Sequence, residues 1–487
     1  MRAFLLSLAL VALVIQSAEG QRRRAVTPPR PVTQLPYTQG GYADRLSVEQ
    51  GGAIAFHIAS NASPFTLEIV NLADPDTVLW SVPGLTTAAR DCTGLQETGC
   101  GWPVTTTVDI PLNWPSGYYA ARFPRTSGGY RYVFFVVRTA VPASQAPMLV
   151  IVSTHTWQAY NAFGGRSAYP SSAPSRAHRL SFDRPLLDAD GLGRFDRWDK
   201  PFMQWLEGEN IPYEVATDHD LEDPTLLPHY ELIVFVGHSE YWTATARANV
   251  EAYSTGGGHI AVLGGNTMWW QARLEDNGRT FVAYKDAKLD PESGHNNVVV
   301  TVNWFNEPVL RPENLLFGAS FRNGGFVNEN EPTVPFTVTD VSQWVFSGTD
   351  VQPGSQFGAI SAGWETDGAL FNCNADGLAA AVDGSDGAPL NFQVLATVPA
   401  TAGYGTVGMY TNQAGAVVFN AGSQNWVRGL GSDHVVQRVT ANVIRRLSTG
   451  ERFPYMPVAS SDRMRDEFNC AMPAEQVLPG WRGTEAQ

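Results

Sequence analysis

A histidine and a glutamate follow an apolar stretch near the middle of the chain. Residues 232–236 read LIVFV and residues 237–242 read GHSEYW, so His238 and Glu240 come directly after the apolar run. Such a run predicts a strand buried on both faces, and in open parallel sheets the reactive groups collect beyond the carboxyl ends of the strands. His238 and Glu240 are therefore candidates for proton exchange with a substrate. The structural alternative is that Glu240 caps a helix starting near Thr243 and His238 makes an ordinary hydrogen bond.

Two more apolar runs end in loops of similar composition. Residues 148–152 (MLVIV) lead into STHTWQAYNAFGG, which contains Tyr160, and residues 259–263 (HIAVL) lead into GGNTMWWQ, which contains Asn266. Glycine lets the backbone approach a ligand closely, and aromatic side chains wall a pocket against water. Three such loops at one edge of a sheet predict a functional site.

The composition indicates a globular protein and argues against several classes of function. The chain has 487 residues, 44% of them hydrophobic and 16% charged, which predicts two or three domains. Its net charge of −14 argues against nucleic acid as a partner, because phosphate binding needs a basic surface. The apolar runs are followed by no Gly-x-Ser-x-Gly elbow, cysteine, Walker motif or dinucleotide fingerprint.

The first twenty residues predict export. A positive start, an apolar stretch over 4–15 and small residues before Gln21 are typical of a Sec-type signal peptide cleaved after Gly20, which predicts a secreted or periplasmic protein. The apolar stretch is shorter than a transmembrane span, and we expect no span after cleavage. Four cysteines in an exported chain predict disulfides, and we pair Cys92 with Cys100 and Cys373 with Cys470.

The pattern of segments predicts an all-β domain followed by an α/β domain. After a flexible lead-in at 21–41, residues 42–141 hold about seven short β segments, which favours an immunoglobulin-like β-sandwich. From 148 to 450 strands alternate with helices, which predicts a parallel-sheet domain of the glutamine-amidotransferase or flavodoxin-like type. Residues at about 297–398 are interpreted as a β-rich insertion, and 451–487 as an irregular tail.

Five phrases resemble the N,N-dimethylformamidase large (beta) subunit family, and the resemblance covers about residues 112–426. The phrases are WPSGYYAAR at 114–122, THTWQAYN at 154–161, SFDRP at 181–185, GHSEYW at 237–242 and GGNTMWWQ at 264–271. No match to the family's additional N-terminal region is found in this sequence, and the predicted secretion signal is a further difference from the family. Because the family's large subunit works with a small one, the resemblance implies a small-subunit partner, with a homo-oligomer as the alternative.

The resemblance also implies a metal site. Enzymes of this family hold a mononuclear iron(III) with two tyrosines and one glutamate. Carried over by motif, the first tyrosine is Tyr119, with Tyr118 as the alternative, the second is Tyr160, and the glutamate is Glu240. Iron(III) is a hard ion that prefers anionic oxygen ligands, and a set of three protein ligands leaves positions open for water and substrate.

The same resemblance implies the remaining site residues. His238, Asn266 and Glu365 match catalytic positions of the family, and Lys285 is a weaker candidate. The expected function is hydrolysis of a small amide C–N bond, with iron(III) acidifying water and polarising the carbonyl. Two alternatives are a non-catalytic exported binding protein that retains the fold, and a hydrolase or lyase that uses another metal.

Overall fold

The computed structural model describes residues 37–170, 175–327, 334–374, 377–456 and 458. The predicted signal peptide, most of the lead-in and most of the tail lie outside these residues. The Cys92–Cys100 disulfide is confirmed, with a Cα–Cα distance of 5.0 Å. Cys373 is also disulfide-bonded, and its predicted partner Cys470 lies outside the described residues. No helix in the described ranges is long and apolar enough to cross a membrane.

Between residues 37 and 138, the described N-terminal part forms eight strands in two sheets. The strands are β1 (Gly40–Ala43), β2 (Ser47–Glu49), β3 (Ala53–Ala59), β4 (Phe65–Asn71), β5 (Asp74–Leu85), β6 (Thr106–Asp109), β7 (Gly117–Pro124) and β8 (Tyr130–Arg138). The sheet orders are β1-β3-β6 and β2-β8-β7-β4-β5. Buried and half-buried residues alternate along β3 and β4, and Phe56 and Ile69 from the two sheets share one core. Whether this sandwich is of the immunoglobulin type stays a prediction.

The remaining chain forms seventeen strands and five helices within the described residues. The helices are α1 (Thr154–Tyr160), α2 (Asp199–Gly208), α3 (Ala244–Thr255), α4 (Asn314–Phe317) and α5 (His434–Leu447). The strands are β9 (Met148–Val152), β10 (Arg179–Ser181), β11 (Glu214–Thr217), β12 (Leu232–Gly237), β13 (Tyr241–Thr243), β14 (His259–Gly264), β15 (Trp270–Glu275), β16 (Thr280–Val282), β17 (Ser320–Val327), β18 (Phe336–Val338), β19 (Gln356–Phe357), β20 (Trp364–Gly368), β21 (Phe371–Cys373), β22 (Ala379–Val382), β23 (Gln393–Ala400), β24 (Gly403–Thr411) and β25 (Val417–Asn420).

Nine of these strands form the main sheet, in the order β11-β9-β12-β14-β25-β24-β23-β18-β19. The first five are parallel, and the other four run antiparallel to their neighbours. The expectation of a parallel sheet therefore describes half of it. Strands β18, β19 and β23 come from the predicted insertion at 297–398 and extend the main sheet. The likeness to flavodoxin-like domains stays a prediction.

The parallel half of the sheet is buried on both faces, as its continuous apolar runs predict. Along β12, Val234 packs on one side with Phe202 of α2 and Val439 of α5, whereas Phe235 packs on the other side with Val250 of α3. Each strand therefore supports two layers of helices. The strand ends, which carry the loops singled out in the sequence, lie at one edge between these layers.

The connection between the sandwich and the main sheet is fixed by one buried carboxylate. Glu214, the first residue of β11, is fully buried. Its oxygens accept hydrogen bonds from Thr139 Oγ1, the backbone N–H groups of Ala143, Gln145 and Ala146, and the hydroxyl of Tyr230. Because four of these donors belong to residues 139–146, the Glu214 carboxylate is the hydrogen-bond acceptor for polar groups of the connecting segment.

We expect Glu214→Ala to lower the free energy of unfolding by about 3 kcal/mol, because it leaves several buried donors without an acceptor. Chemical denaturation measures the change. The matched control is Glu209→Ala, since Glu209 is exposed and pairs with Arg445 at the surface; it should change stability by less than about 0.5 kcal/mol. Equal effects of the two variants would contradict the role given to Glu214.

A second buried polar group lies at the start of α1. The Asp218 carboxylate accepts hydrogen bonds from the backbone N–H of His155 and from Thr154 Oγ1. The His155 ring is fully buried, with its Nε2 3.4 Å from Nδ1 of His219. Burial lowers the pKa of His155 to about 4, so this ring stays neutral in the folded protein well below pH 6.5.

This histidine should make folding sensitive to acid. Because the His155 pKa is lower in the folded than in the unfolded chain, the unfolded chain binds the extra proton as pH falls from 6.5 towards 4, and stability is lost in that window. Between pH 7.5 and 5 the wild type should therefore lose about 2 kcal/mol relative to His155→Gln. Thermal unfolding at both pH values measures this difference; the exposed His434→Gln serves as control, and a pH-independent difference between wild type and His155→Gln would refute it.

Candidate active site

Side chains from four neighbouring strand ends meet at one edge of the main sheet. Tyr160 ends α1 after β9, His238 and Glu240 follow β12, Asn266 follows β14, and Gln424 follows β25. These four strands are adjacent in the sheet. The three loops singled out in the sequence thus lie side by side, as expected for carboxyl ends of parallel strands.

One histidine lies between two carboxylates in this site. The Nε2 atom of His238 is 3.2 Å from Glu240 Oε2 and 3.1 Å from Glu365 Oε2. All three side chains are buried. The other ring nitrogen, Nδ1, lies 3.2 Å from the carbonyl oxygen of Gly265, to which it can only donate. With Nδ1 protonated, Nε2 and the two carboxylate oxygens would repel one another unless a proton lies on Nε2 or on one of the carboxyl groups.

The pKa values of the three side chains in this trio are shifted in different directions. Burial raises the pKa of Glu365 to about 7, against the opposing charge of His238. Burial also disfavours the charged forms of His238 and Glu240, yet their mutual attraction prevails. The negative charges of Glu365 and Glu240 hold the pKa of His238 above its usual value, and the hydrogen bond and charge of His238 hold that of Glu240 below its usual value. Glu365 is thus a carboxyl group of this trio with a pKa near neutral pH.

Three tyrosines surround the outer side of Glu240. The Tyr169 hydroxyl donates to Glu240, with distances of 2.8 and 3.0 Å to its two oxygens, and accepts from the Tyr241 hydroxyl at 2.7 Å. The Tyr160 ring stacks on that of Tyr169 at 4.3 Å, and their hydroxyls share a hydrogen bond. Burial raises the pKa of all three phenols well above the usual value, so in the protein alone they are neutral donors.

Two cations contact these tyrosine rings. Lys285 Nζ lies 3.5 Å from the ring centre of Tyr169, and Arg194 Cζ lies 3.8 Å from that of Tyr160. Burial lowers the pKa of Lys285 to about 7, which the charge of Glu240 opposes. Both contacts favour negative charge developing on the phenol oxygens.

Asn266 has a strained backbone that a buried aspartate supports. Its φ of 51° lies in the left-handed region, and its N–H donates to Asp367 Oδ1 at 2.8 Å. Its side chain hydrogen bonds with Glu365, while its Oδ1 atom has no partner among the described residues. Gln424 Nε2 donates to Glu365 Oε2 at 3.0 Å. Two amides thus fix the position of the Glu365 carboxyl.

Tyr119, which the motif carried over as a ligand, lies apart from this cluster in the structure. Its hydroxyl donates to the carbonyl oxygen of Pro115 at 2.8 Å, and its ring stacks on Trp114 within the sandwich core. The alternative, Tyr118, packs instead against Phe195 between the sandwich and the main sheet. Successive residues of β7 point to opposite faces, and both tyrosines belong to clusters other than the one that contains Tyr160 and Tyr169. Tyr169 lies where a second phenol was expected.

A pocket of about 210 Å³ opens over the trio. Its walls combine the site residues with aromatic and basic side chains, namely Tyr160, Arg194, Arg197, Trp198, His238, Trp364, Glu365, Gln424, Asn425 and Arg428. Glu240, Tyr169 and Tyr241 lie behind these residues. The pocket therefore gives a small molecule direct access to Glu365, His238 and Tyr160.

The oxygen donors behind the pocket suit a hard trivalent cation. In the described part of the chain no group of three or more His, Cys, Asp and Glu residues is arranged to hold a metal ion. The donor set here is of another kind, with the hydroxyls of Tyr160 and Tyr169 next to the Glu240 carboxylate. Two phenolates and one carboxylate supply three negative charges, which matches iron(III). The residues therefore fit the metal that the resemblance implies.

The pKa of His238 should depend on Glu365. In protein treated with a chelator, the Glu365→Gln substitution removes a negative charge 3.1 Å from Nε2, so we expect the pKa of His238 to fall. Histidine ring NMR over pH 5–9 measures it, with the exposed His434 as an internal reference. An unchanged or higher pKa of His238 in the variant would show that the two side chains are not coupled.

Comparison with known proteins agrees with the resemblance. Residues 74–439 match the family described as N,N-dimethylformamidase beta subunit-like, C-terminal. Two relatives, both named N,N-dimethylformamidase beta subunit, come from Alcaligenes sp and Paracoccus aminophilus. They are 26% and 25% identical over 215 residues, which cover 35% of this chain and 28% of each relative. The matched region thus spans less than a third of their length. On the family match, which includes most of the chain and every site residue named above, this protein belongs to the N,N-dimethylformamidase beta subunit-like family.

Proposed function

We propose that this protein is an exported hydrolase that cleaves the C–N bond of a small amide and uses iron(III) held by Tyr160, Tyr169 and Glu240. The observation that carries the proposal is the contact of the Tyr169 hydroxyl with both oxygens of Glu240, next to the stacked ring of Tyr160. Three hard oxygen donors meet there behind a pocket that holds a proton-exchanging carboxyl. The match to a family named for amide cleavage supports the same reaction class.

The reaction needs one proton to move. Hydrolysis forms a C–O bond at the carbonyl carbon, breaks the C–N bond, and transfers a proton from water to the leaving nitrogen. Bound iron(III) would supply Lewis acidity towards the carbonyl and would make water more acidic. Glu365 lines the pocket and has a pKa of about 7, so it can accept the proton from water and then deliver it to the amine.

The neighbours of Glu365 have positioning roles. His238 keeps a positive charge beside Glu365 and Glu240, which limits the repulsion between the two carboxylates. Gln424 and Asn266 fix the orientation of the Glu365 carboxyl. Burial of His238, Glu365 and Gln424 strengthens these electrostatic contacts.

Export and a partner subunit belong to the same proposal. The signal-like first twenty residues and the Cys92–Cys100 disulfide support an oxidising compartment outside the cytoplasm. The two relatives are named as beta subunits, which supports a small partner subunit for this chain as well.

Metal analysis of the purified protein tests the ligand set. After expression with iron, we expect about one iron per chain and a visible absorption band from phenolate-to-iron charge transfer. Tyr169→Phe and Glu240→Ala should each remove most of the iron and the band. The matched control is Tyr119→Phe, which should keep both, because Tyr119 lies in the sandwich core. Loss of iron in Tyr119→Phe but not in Tyr169→Phe would reverse the assignment.

The iron-loaded protein should release amine from short amides, and Glu365→Gln should reduce that rate about 100-fold or more while keeping iron bound. A wild-type protein that binds iron but cleaves no amide in a broad screen would exclude the hydrolase.

A further inference from the structure

Three arginines line the pocket, although the chain as a whole is acidic. Arg194 and Arg197 precede α2, and Arg428 lies in the short turn Trp426–Gly431 that follows β25. They approach the pocket from two separate segments. In a chain with a net charge of −14, three arginines around one small opening are a local reversal of charge.

Two of these arginines have no charge partner within the described residues. Arg194 is mostly buried, lies 3.7 Å from Asp188 and stacks on Tyr160. Arg197 and Arg428 are exposed and form no ion pair with any described residue. Arg197 contacts Trp198, with Cζ 5.9 Å from the ring centre. Their guanidinium groups are therefore free to bind a ligand.

The acidic group of the pocket faces a histidine. Among the described lining residues Glu365 is the acidic one, and it lies 3.1 Å from His238. Arginines therefore outnumber acidic side chains among the described lining residues, and the rim of the pocket is positively charged. Such an arrangement attracts anions, and the planar fork of arginine matches a carboxylate with two parallel hydrogen bonds. A neutral amide would make no use of this rim.

We infer that the amide cleaved in this site carries a carboxylate, which Arg197 and Arg428 bind while the amide group faces Glu365. The inference rests on the proposed function, because it names the substrate class of the same pocket. A volume of about 210 Å³ is below that of pockets for drug-sized ligands, so the substrate is small. An N-acyl amino acid or a similar short amido acid has the required size and charge.

Binding of a matched pair of compounds tests this inference without requiring turnover. N-acetylglycine carries the carboxylate, and N-acetylglycinamide is its neutral counterpart. By calorimetry on the iron-loaded full-length protein, we expect N-acetylglycine to bind about tenfold more tightly or better. The preference should weaken as salt is raised, since the arginines are exposed.

Two variants locate the effect. Arg197→Gln combined with Arg428→Gln should bring the affinities for the two compounds to within about twofold of each other. Arg438→Gln is the matched control, because Arg438 is exposed on α5, forms no ion pair with a described residue and does not line the pocket. It should keep the wild-type preference. Circular dichroism and iron content establish that all variants are folded.

The outcomes separate this inference from the proposed function. Equal or tighter binding of the neutral compound, no detectable binding of either, or a preference that survives the double substitution overturns the inference. If carboxylate-dependent binding is found but neither compound nor any other amide is cleaved, the proposed function fails and the anion site stands. If neutral amides are cleaved faster than amido acids, the hydrolase stands and the inference fails.

Discussion

The site depends on one positive charge between two buried carboxylates. Glu240 and Glu365 both face Nε2 of His238 within 3.2 Å, and the opposite ring nitrogen is committed to the carbonyl of Gly265. Without a shared proton these carboxylates would repel each other in a region of low dielectric. The proton therefore ties together groups from the loop after β12, from β20 and from the turn after β14. Glu240 faces the phenols and Glu365 faces the pocket, so the same histidine lies between the phenol cluster and the pocket.

Part of this site could be predicted from local sequence, because strand ends are visible as apolar runs. His238, Glu240, Asn266 and Tyr160 lie at the strand ends where the pattern expects them. Glu365 has no comparable signal, since β20 has polar and charged residues at most positions and pairs with β17 far from it in sequence; it came from the resemblance. Tyr169 was missed because it lies in a loop after α1 with no periodic pattern.

Tyr118 and Tyr119 show that a sequence motif does not specify the direction of a side chain on a strand. Tyr118 and Tyr119 are adjacent, both are buried, and both have small or apolar neighbours, so the sequence does not say which face of β7 either side chain occupies. The structure assigns one to the sandwich core and the other to the boundary with the main sheet. The antiparallel half of the main sheet was missed for a related reason. Strands such as β18 and β19 are two or three residues long, and their pairing joins segments far apart in the chain.

The buried Glu214 has a consequence for how this molecule can be dissected. Its carboxylate is neutralised by hydrogen-bond donors that belong to the segment leading out of the sandwich. A fragment starting at β9 would keep the carboxylate but lose most of those donors, leaving an ionised group in an apolar setting. The sandwich is thus more than an appended module, because without it and its connecting segment a carboxylate inside the sheet domain loses most of its hydrogen-bond donors.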